Sequence, residues 1–160
     1  MTTTTTTIRP AFADDAAAIM QLVRHLAEYE KAPHEVLVNE DDLLREGFGT
    51  DPLFTVHVAE VANEVVGMAL FYNGYSTWKG RMLYLEDLVV KQEHRNNGIG
   101  KLLLESVFEY AKYTGAALVK WQVLDWNEPA IKFYKQYPVS FDGGWLNCRI
   151  MTEAIITTES

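Results

Sequence analysis

The sequence predicts an α/β domain in which helices cover both faces of a mixed sheet. Short apolar runs typical of strands alternate along the chain with segments whose apolar residues recur at helical spacing. A strand, a helix and a second strand follow each other over 81–124, an order that places two parallel strands in one sheet. With 160 residues, 48% of them hydrophobic, the chain can bury one core but is short for two. We therefore expect a single domain over 1–160.

The N-terminal elements are indicated by periodicity and by capping residues. The threonine-rich end over 1–6 is expected to be frayed or disordered, with its last residues joining a strand at Ile8. The segment 14–30 has apolar residues at helical spacing and acidic residues in its first turn, and so predicts an amphipathic helix. Asn39 can cap a second, shorter helix, which ends at the glycines of 47–49.

The central strands follow from three stretches of sequence. Residues 54–60 alternate between polar and apolar, and a short turn joins them to 65–75, which predicts two antiparallel strands. The run 81–90 is largely apolar and predicts a central strand, although Glu86 and Asp87 lie inside it. Because successive side chains of a strand point to opposite faces, we expect at most one of these acids to face any one site.

The C-terminal half is predicted to form a helix, a strand, a second helix and a hairpin. The helix is strongly periodic over 99–115, and the apolar strand 116–124 follows it. Asn127 can cap the next helix, which has proline in its first turn and runs towards Tyr137. A final hairpin is expected around 143–144, where two glycines are adjacent.

The composition argues against several classes of protein. With 14 basic and 22 acidic residues the net charge is −8, which disfavours a nucleic-acid partner and favours a cationic one, although acidity also simply keeps proteins soluble. The single cysteine, Cys148, excludes an intrachain disulfide, and no Cys/His grouping has the spacing of a zinc site, so we expect no metal. Neither a signal peptide nor a membrane span is recognisable, which favours a cytoplasmic protein without a membrane partner.

A polar loop between the central strand and the periodic helix could hold a phosphate. It reads Arg-Asn-Asn-Gly-Ile-Gly over 95–100. Backbone N–H groups at such a helix N-terminus can cradle a pyrophosphate, and Arg95 can neutralise its charge. Asn97 tolerates a left-handed conformation, so a third glycine is not required. Two glycines before a helix are a weak signal, and an ordinary loop is the alternative interpretation.

Motifs spread along the chain resemble those of a known family. The loop 95–100 is similar to a coenzyme A loop of pattern Q/R-x-x-G-x-G/A, and it is preceded by Tyr-Leu-Glu-Asp at 84–87. Trp-Asn-Glu-Pro at 126–129 and Phe-Tyr-Lys at 133–135 follow in the same order. Together these motifs resemble the GNAT superfamily of N-acetyltransferases, and within it the diamine (spermidine/spermine) and thialysine acetyltransferases. The resemblance implies the GNAT fold, a mixed, mostly antiparallel sheet of six to seven strands flanked by about four helices.

The resemblance also implies a reaction and a co-substrate. The expected reaction moves the acetyl group of acetyl-CoA to a primary amine of a diamine, a polyamine or a thialysine-like acceptor, by direct attack in a ternary complex. The strand, the loop and the later helix are then expected to bind acetyl-CoA. The residues implied are Leu88, Val89, Val90, Arg95, Asn96, Asn97, Gly98, Ile99, Gly100, Lys101, Asn127, Glu128, Pro129, Ala130, Tyr134 and Tyr137.

Acetyl transfer to an amine needs a proton acceptor and is helped by a proton donor. A lysine-like ammonium has a solution pKa of about 10.4, so it must lose a proton before it attacks. The resemblance identifies Glu86 as the base that takes this proton and Tyr134 as the acid that protonates the departing sulfur. From the residues alone, Glu86 could instead be a solvated acid and Tyr134 a core aromatic. The implied contacts to the amine are Tyr29, Glu30, Glu86 and Asp87.

Two other functions stay open at this point. The chain could be a GNAT that acetylates a peptide or protein amine, or an acyl-CoA-binding sensor without catalysis. The presence of both Glu86 and Tyr134 favours an enzyme over a sensor. The resemblance further implies a homodimer.

Overall fold

The computed structural model describes residues 4–155, and the chain divides into two compact units, Met1–Leu124 and Asp125–Ser160. Among the described residues, the first unit contains the sheet and three α-helices, and the second contains one α-helix and the segment that follows it. The expected frayed end is described only in part, because residues 1–3 lie outside the described range. Thr4 and Thr5 have no regular structure, whereas Thr6 begins the first strand.

The described residues of the first unit form one five-stranded sheet whose spatial order follows the sequence. The first three strand pairs are antiparallel and the last pair is parallel, which confirms the mixed, mostly antiparallel α/β sheet. The strands are β1 (Thr6–Pro10), β2 (Thr55–Val61), β3 (Glu64–Ser76), β4 (Gly80–Val90) and β5 (Leu118–Lys120).

The four predicted helices form, and their bounds differ from the predicted ones by up to three residues, most at the end of the fourth helix. Asn39 caps the second helix, since its side chain accepts a hydrogen bond from the Asp42 N–H while the Asp42 carboxylate accepts one from the Asn39 N–H, both at 2.9 Å. Gly115 ends the third helix with a φ of 77°, a conformation that favours glycine. The helices are α1 (Ala16–Tyr29), α2 (Glu40–Gly47), α3 (Ile99–Thr114) and α4 (Glu128–Tyr134).

Helices cover both faces of the sheet, as predicted. On one face α1 and α2 contribute buried residues such as Leu22 and Leu43, which pack against Val58 and Met68 of the strands. On the other face α3 packs its Tyr110 ring against Phe71 of β3, with ring centroids 5.1 Å apart. The side chains of β2 and β3 therefore alternate between two apolar layers, which fixes the register of these strands.

The described residues contain fewer strands than the six to seven expected. The predicted hairpin around 143–144 is wrong, because residues 138–151 contain neither helix nor strand. Asp142 instead accepts hydrogen bonds from the Gly144 N–H and the Trp145 indole in a local turn. The apolar side chains of this segment are exposed, so no buried face selects a strand register. The predicted strand 116–124 is also shortened to β5, since its pairing with β4 ends early.

Candidate active site

An irregularity in the middle of β4 organises the first unit's predicted site residues. Leu70 of β3 pairs with Asp87 and the next residue, Phe71, pairs with Leu85, so Glu86 is an extra residue in β4. This is a β-bulge, which bends the strand and disturbs its alternation. The bulge follows the last pair between β4 and β5, in which Tyr84 lies opposite Lys120. The two parallel strands therefore part where the bulge begins.

Beyond Tyr84, the edge of β4 that faces β5 is left open. Across residues 4–155, no strand pairs with this edge over 85–90. The backbone N–H and C=O groups along it can therefore hydrogen-bond an extended ligand that contains amides. The predicted cofactor-binding residues Leu88, Val89 and Val90 all lie on this stretch.

The bulge brings Glu86 and Asp87 to the same face of the sheet, contrary to the expectation from simple alternation. Glu86 accepts a hydrogen bond of 3.0 Å from the hydroxyl of Tyr72. Tyr72 is two residues from Leu70 on β3 and so shares its face, and Leu70 pairs with Asp87. The prediction that only one of the two acids could face a given site is wrong, because the extra residue resets the alternation.

Three carboxylates, Glu30, Glu86 and Asp87, form what we call the acidic cluster. Burial, then the charge of Glu86 and then that of Glu30 raise the pKa of Asp87 from 3.8 to about 7. Burial also raises the pKa of Glu30, which caps the C-terminus of α1. A cation that enters this cluster would relieve the repulsion between the carboxylates. The structure thus brings together three of the four residues predicted to contact the amine.

Two tyrosines line the same face next to the acidic cluster. Tyr72 and Tyr84 lie opposite each other in the β3–β4 ladder, and their rings stack with centroids 5.4 Å apart. Burial, followed by the hydrogen bond to Glu86, raises the pKa of Tyr72 to about 12. Tyr72 was not singled out from the sequence, since its contact depends on a bulge in the neighbouring strand.

The predicted phosphate loop connects the open edge of β4 to α3. Gly98 is the N-cap of α3 with a φ of 78°, and a Cβ added there would meet no atom within 4 Å. The N–H of Leu102 is bonded to the carbonyl of Gly98, so the preceding N–H groups have no acceptor within the helix. The residues that present these free donors are Ile99, Gly100 and Lys101. Their position fits a pyrophosphate at the positive end of a sixteen-residue helix.

The loop differs from the prediction at one asparagine. The left-handed residue is Asn96, with a φ of 65°, and not Asn97. Asn97 instead donates a side-chain hydrogen bond of 3.4 Å to the carbonyl of His94. Asparagine tolerates φ near +60° better than most residues, so the physical reason given for Asn97 applies to its neighbour.

Arg95 links the loop to the end of α1. Its Nε donates a hydrogen bond of 3.1 Å to the carbonyl of Val90, and its guanidinium lies 5.1 Å from the centre of the Tyr29 ring. A predicted phosphate-binding residue and a predicted amine-binding residue are therefore in direct contact. This cation–π contact ties the loop that precedes α3 to the C-terminal end of α1.

The predicted residues of the second unit lie on α4 and the turn after it. Asn127 caps α4 by accepting a hydrogen bond of 3.3 Å from the Ala130 N–H, with Glu128 and Pro129 in the first turn. Tyr134, the last residue of α4, is 8% exposed, and its ring lies 5.4 Å from that of Phe133. The helix ends three residues before the predicted Tyr137, whose N–H bonds to the carbonyl of Tyr134.

Comparison with known proteins identifies the family. The family model described as "Acetyltransferase (GNAT) family" matches residues 17–137. This chain belongs to the GNAT acetyltransferase family. Thialysine N-epsilon-acetyltransferase of Mus musculus is 39% identical over 94% of this chain and 95% of its own length, and the Bos taurus protein of that name is 43% identical over 80% of each. Members of this family use acetyl-CoA.

Two further comparisons fit this assignment. Spermidine/spermine N(1)-acetyltransferase-like protein 1 of Homo sapiens is 33% identical over 93% of this chain, which corresponds to 23% of that protein. The crystal structure of an aminoglycoside acetyltransferase from an uncultured soil metagenomic sample superimposes with a TM-score of 0.75 at 20% identity, covering 91% of this chain and 95% of the other. At that identity the superposition supports the GNAT fold alone.

Two features are absent from the part of the chain that the structure describes. No helix within 4–155 combines the length and the apolar character needed to cross a membrane. The same residues contain no group of three or more His, Cys, Asp or Glu side chains placed to hold a metal ion.

Proposed function

We propose that this GNAT acetyltransferase transfers the acetyl group of acetyl-CoA to a primary amine of a small cationic acceptor, by direct attack in a ternary complex. The observation that carries the proposal is the acidic cluster at the β4 bulge, where the strand edge becomes open. The acceptor class is a diamine, a polyamine or a lysine analogue such as thialysine. The names of the relatives with 39% and 43% identity support a thialysine-like amine.

The acidic cluster is suited both to attract the amine and to take its proton. A lysine-like amine arrives almost entirely as an ammonium ion at neutral pH, because its pKa is about 10.4. In our proposal Glu86, the exposed member of the cluster, accepts the proton before the nitrogen attacks. We propose that Asp87 and Glu30 attract the cation and that Tyr29, the residue before Glu30, also contacts it.

Residues of the first unit fit the two ends of acetyl-CoA. The free N–H groups at the start of α3, together with Arg95, Asn96, Asn97 and Gly98, offer donors and charge for its phosphates. The open β4 edge at Leu88, Val89 and Val90 offers backbone partners for its amide-bearing arm. Acetyl-CoA supplies the acetyl group as an activated thioester.

In the second unit we assign the general acid to Tyr134. A tyrosine hydroxyl can donate a proton or a hydrogen bond to a departing sulfur without itself carrying charge beforehand. Asn127 caps α4 and is also proposed to bind the coenzyme arm. The other contacts proposed in this unit are Glu128, Pro129, Ala130 and Tyr137.

Three properties of the whole protein are part of the proposal. We infer a single N-acetyltransferase domain, supported by a family model that runs across both compact units. We infer a homodimer from the resemblance to the diamine acetyltransferases. A cytoplasmic location is consistent with the single cysteine, which is exposed and free.

The decisive experiment measures release of the coenzyme A thiol from acetyl-CoA with thialysine, spermidine, putrescine, lysine and an amine-bearing peptide as acceptors. We expect rapid turnover with at least one free amine and a large loss of kcat in Tyr134→Phe. Tyr113→Phe is the matched control, since Tyr113 is 90% exposed on α3. Turnover of the peptide alone would favour a protein-directed enzyme. Binding of acetyl-CoA without turnover of any acceptor would favour the sensor.

A further inference from the structure

We propose that Tyr72 is a positioning residue that holds the Glu86 carboxylate in place for proton transfer from the amine. This inference rests on the proposed function, because it presupposes that Glu86 takes that proton. Tyr72 lies on β3, outside the strand, loop and helix motifs that carry the resemblance to the family.

The Tyr72 hydroxyl is itself held firmly by the sheet. Its residue pairs with Tyr84 in the β3–β4 ladder, and the two rings stack at an interplanar angle of 30°. A stacked ring has few alternative rotamers, so the direction of its hydroxyl is fixed by the backbone register. The hydroxyl donates to Oε2 of Glu86 at 3.0 Å, a normal length for a hydrogen bond to a carboxylate.

Glu86 needs such a partner more than a residue of a regular strand would. It is the extra residue of the bulge and its side chain is exposed, so neither ladder pairing nor packing restrains it. Among residues 4–155, the Tyr72 hydroxyl is the hydrogen-bond donor that its carboxylate contacts. Without this donor the long side chain would sample several rotamers, and fewer of them would meet the amine.

Several titratable groups surround the hydrogen bond between Tyr72 and Glu86. The titratable groups there are Tyr72 on β3, Tyr84 and Asp87 on β4 and Glu30 at the end of α1. Burial raises the pKa of Asp87 to about 7, so near neutral pH Asp87 holds a proton in much of the population. The Tyr72 hydroxyl, whose pKa is raised to about 12, keeps its own proton and so remains a hydrogen-bond donor to the Glu86 carboxylate. Glu86 is the exposed acid of the cluster and is the one that meets the amine in the proposed reaction.

The test is a double-mutant cycle with thialysine as acceptor, using the wild type, Tyr72→Phe, Glu86→Gln and the double variant. Tyr72→Phe keeps the stacked ring and removes the hydroxyl alone. We expect kcat to fall about tenfold with little change in KM. A tenfold fall is the size associated with losing one hydrogen bond to a charged group. The loss should appear in kcat and not in KM, because Glu30 and Asp87 still attract the amine when the hydroxyl is gone. Tyr75→Phe, at a side chain 73% exposed on the same strand, is the control and should match the wild type.

The effect of Tyr72→Phe in the Glu86→Gln background distinguishes the positioning role of Tyr72 from the proposed function itself. We expect Tyr72→Phe to have no further effect there, since the carboxylate that it positions is already gone. An equal loss in both backgrounds, or a loss in Tyr72→Phe that appears in KM and not in kcat, would overturn the positioning role while leaving the proposed function standing. A Glu86→Gln enzyme with the rate and pH profile of the wild type would instead remove Glu86 as the base, and the positioning role would fall with it.

Discussion

Replacing Asp87 by asparagine tests the electrostatics of the acidic cluster in the folded protein. Burial is the first cause that raises the pKa of this carboxyl from 3.8 to about 7, followed by the charges of Glu86 and Glu30. A raised pKa means that the folded state binds the proton more tightly than the unfolded chain does. Stability is therefore greatest at low pH and falls as the pH rises from about 4 to about 7, above which Asp87 is charged in both states.

The size of the effect follows from the difference between the two pKa values. About 3 pH units at 1.4 kcal/mol each give a total penalty of about 4 kcal/mol once the carboxyl is fully ionised. Between about pH 5 and pH 8 the corresponding change in the free energy of unfolding is about 2 to 3 kcal/mol. Asp87→Asn removes the ionisable group, so the variant should gain stability relative to the wild type by this amount over that range.

The assay is urea unfolding followed by the fluorescence of the four tryptophans, at several pH values across this interval. Asp51→Asn, at an exposed loop position, measures what the same exchange does at the surface. The test depends on how the difference in the free energy of unfolding between wild type and Asp87→Asn changes with pH. The exchange also alters packing, but that contribution to the difference does not change with pH. A difference between wild type and Asp87→Asn that stays constant with pH, within about 0.5 kcal/mol, would refute the proposed burial and repulsion at this site.

Three further predictions concern other parts of the chain. Gly98→Ala places a Cβ at a φ of 78°, so it should lower the free energy of unfolding by about 1 kcal/mol and weaken acetyl-CoA binding. Urea unfolding and titration calorimetry measure these two effects, and unchanged values would argue against a constrained loop. Burial lowers the pKa of His57, so its contribution to stability is present above about pH 6.5 and is lost as the pH falls below that value. The free energy of unfolding of His57→Gln should therefore fall less on acidification than that of the wild type. Arg9→Ala removes the ion pairs to Asp15 and Glu60 that join β1 to its neighbours, and it should lower the melting temperature by several degrees. Arg45→Ala, at an exposed position of α2, is the control. Equal melting temperatures of the Arg9→Ala and Arg45→Ala variants would contradict a structural role of Arg9.

Local signals in the sequence predicted most of the fold. Asn39 and Asp42 form the predicted cap of α2 because capping depends on residues three apart in the same chain segment. Gly115 ends α3 as expected because its positive φ is a local property. The strands of the predicted hairpin around 143–144 did not form among the described residues. Strand formation needs a distant partner, and local patterns do not specify that partner.

The same distinction explains the outcome at the site. The loop, the start of α3 and the acids of β4 could be identified from motifs. The shared face of Glu86 and Asp87 could not, because a bulge is a relation between two strands and leaves no mark in the sequence of either one. Tyr72 was missed for the same reason, since its hydroxyl meets Glu86 only after that register shift.

The open edge of β4 has a consequence for the solubility of the protein. An apolar strand with unpaired backbone groups is a template on which other chains can pair, and it therefore favours aggregation. Charged side chains and a bulge are two devices that oppose such edge-to-edge pairing, and Glu86, an exposed acid and the extra residue of the bulge, supplies both on this strand. A neutral substitution of Glu86 should thus lower the highest concentration at which the protein stays monodisperse, whatever it does to the reaction. Expression yield and light scattering of such variants have to be measured before their kinetics are compared.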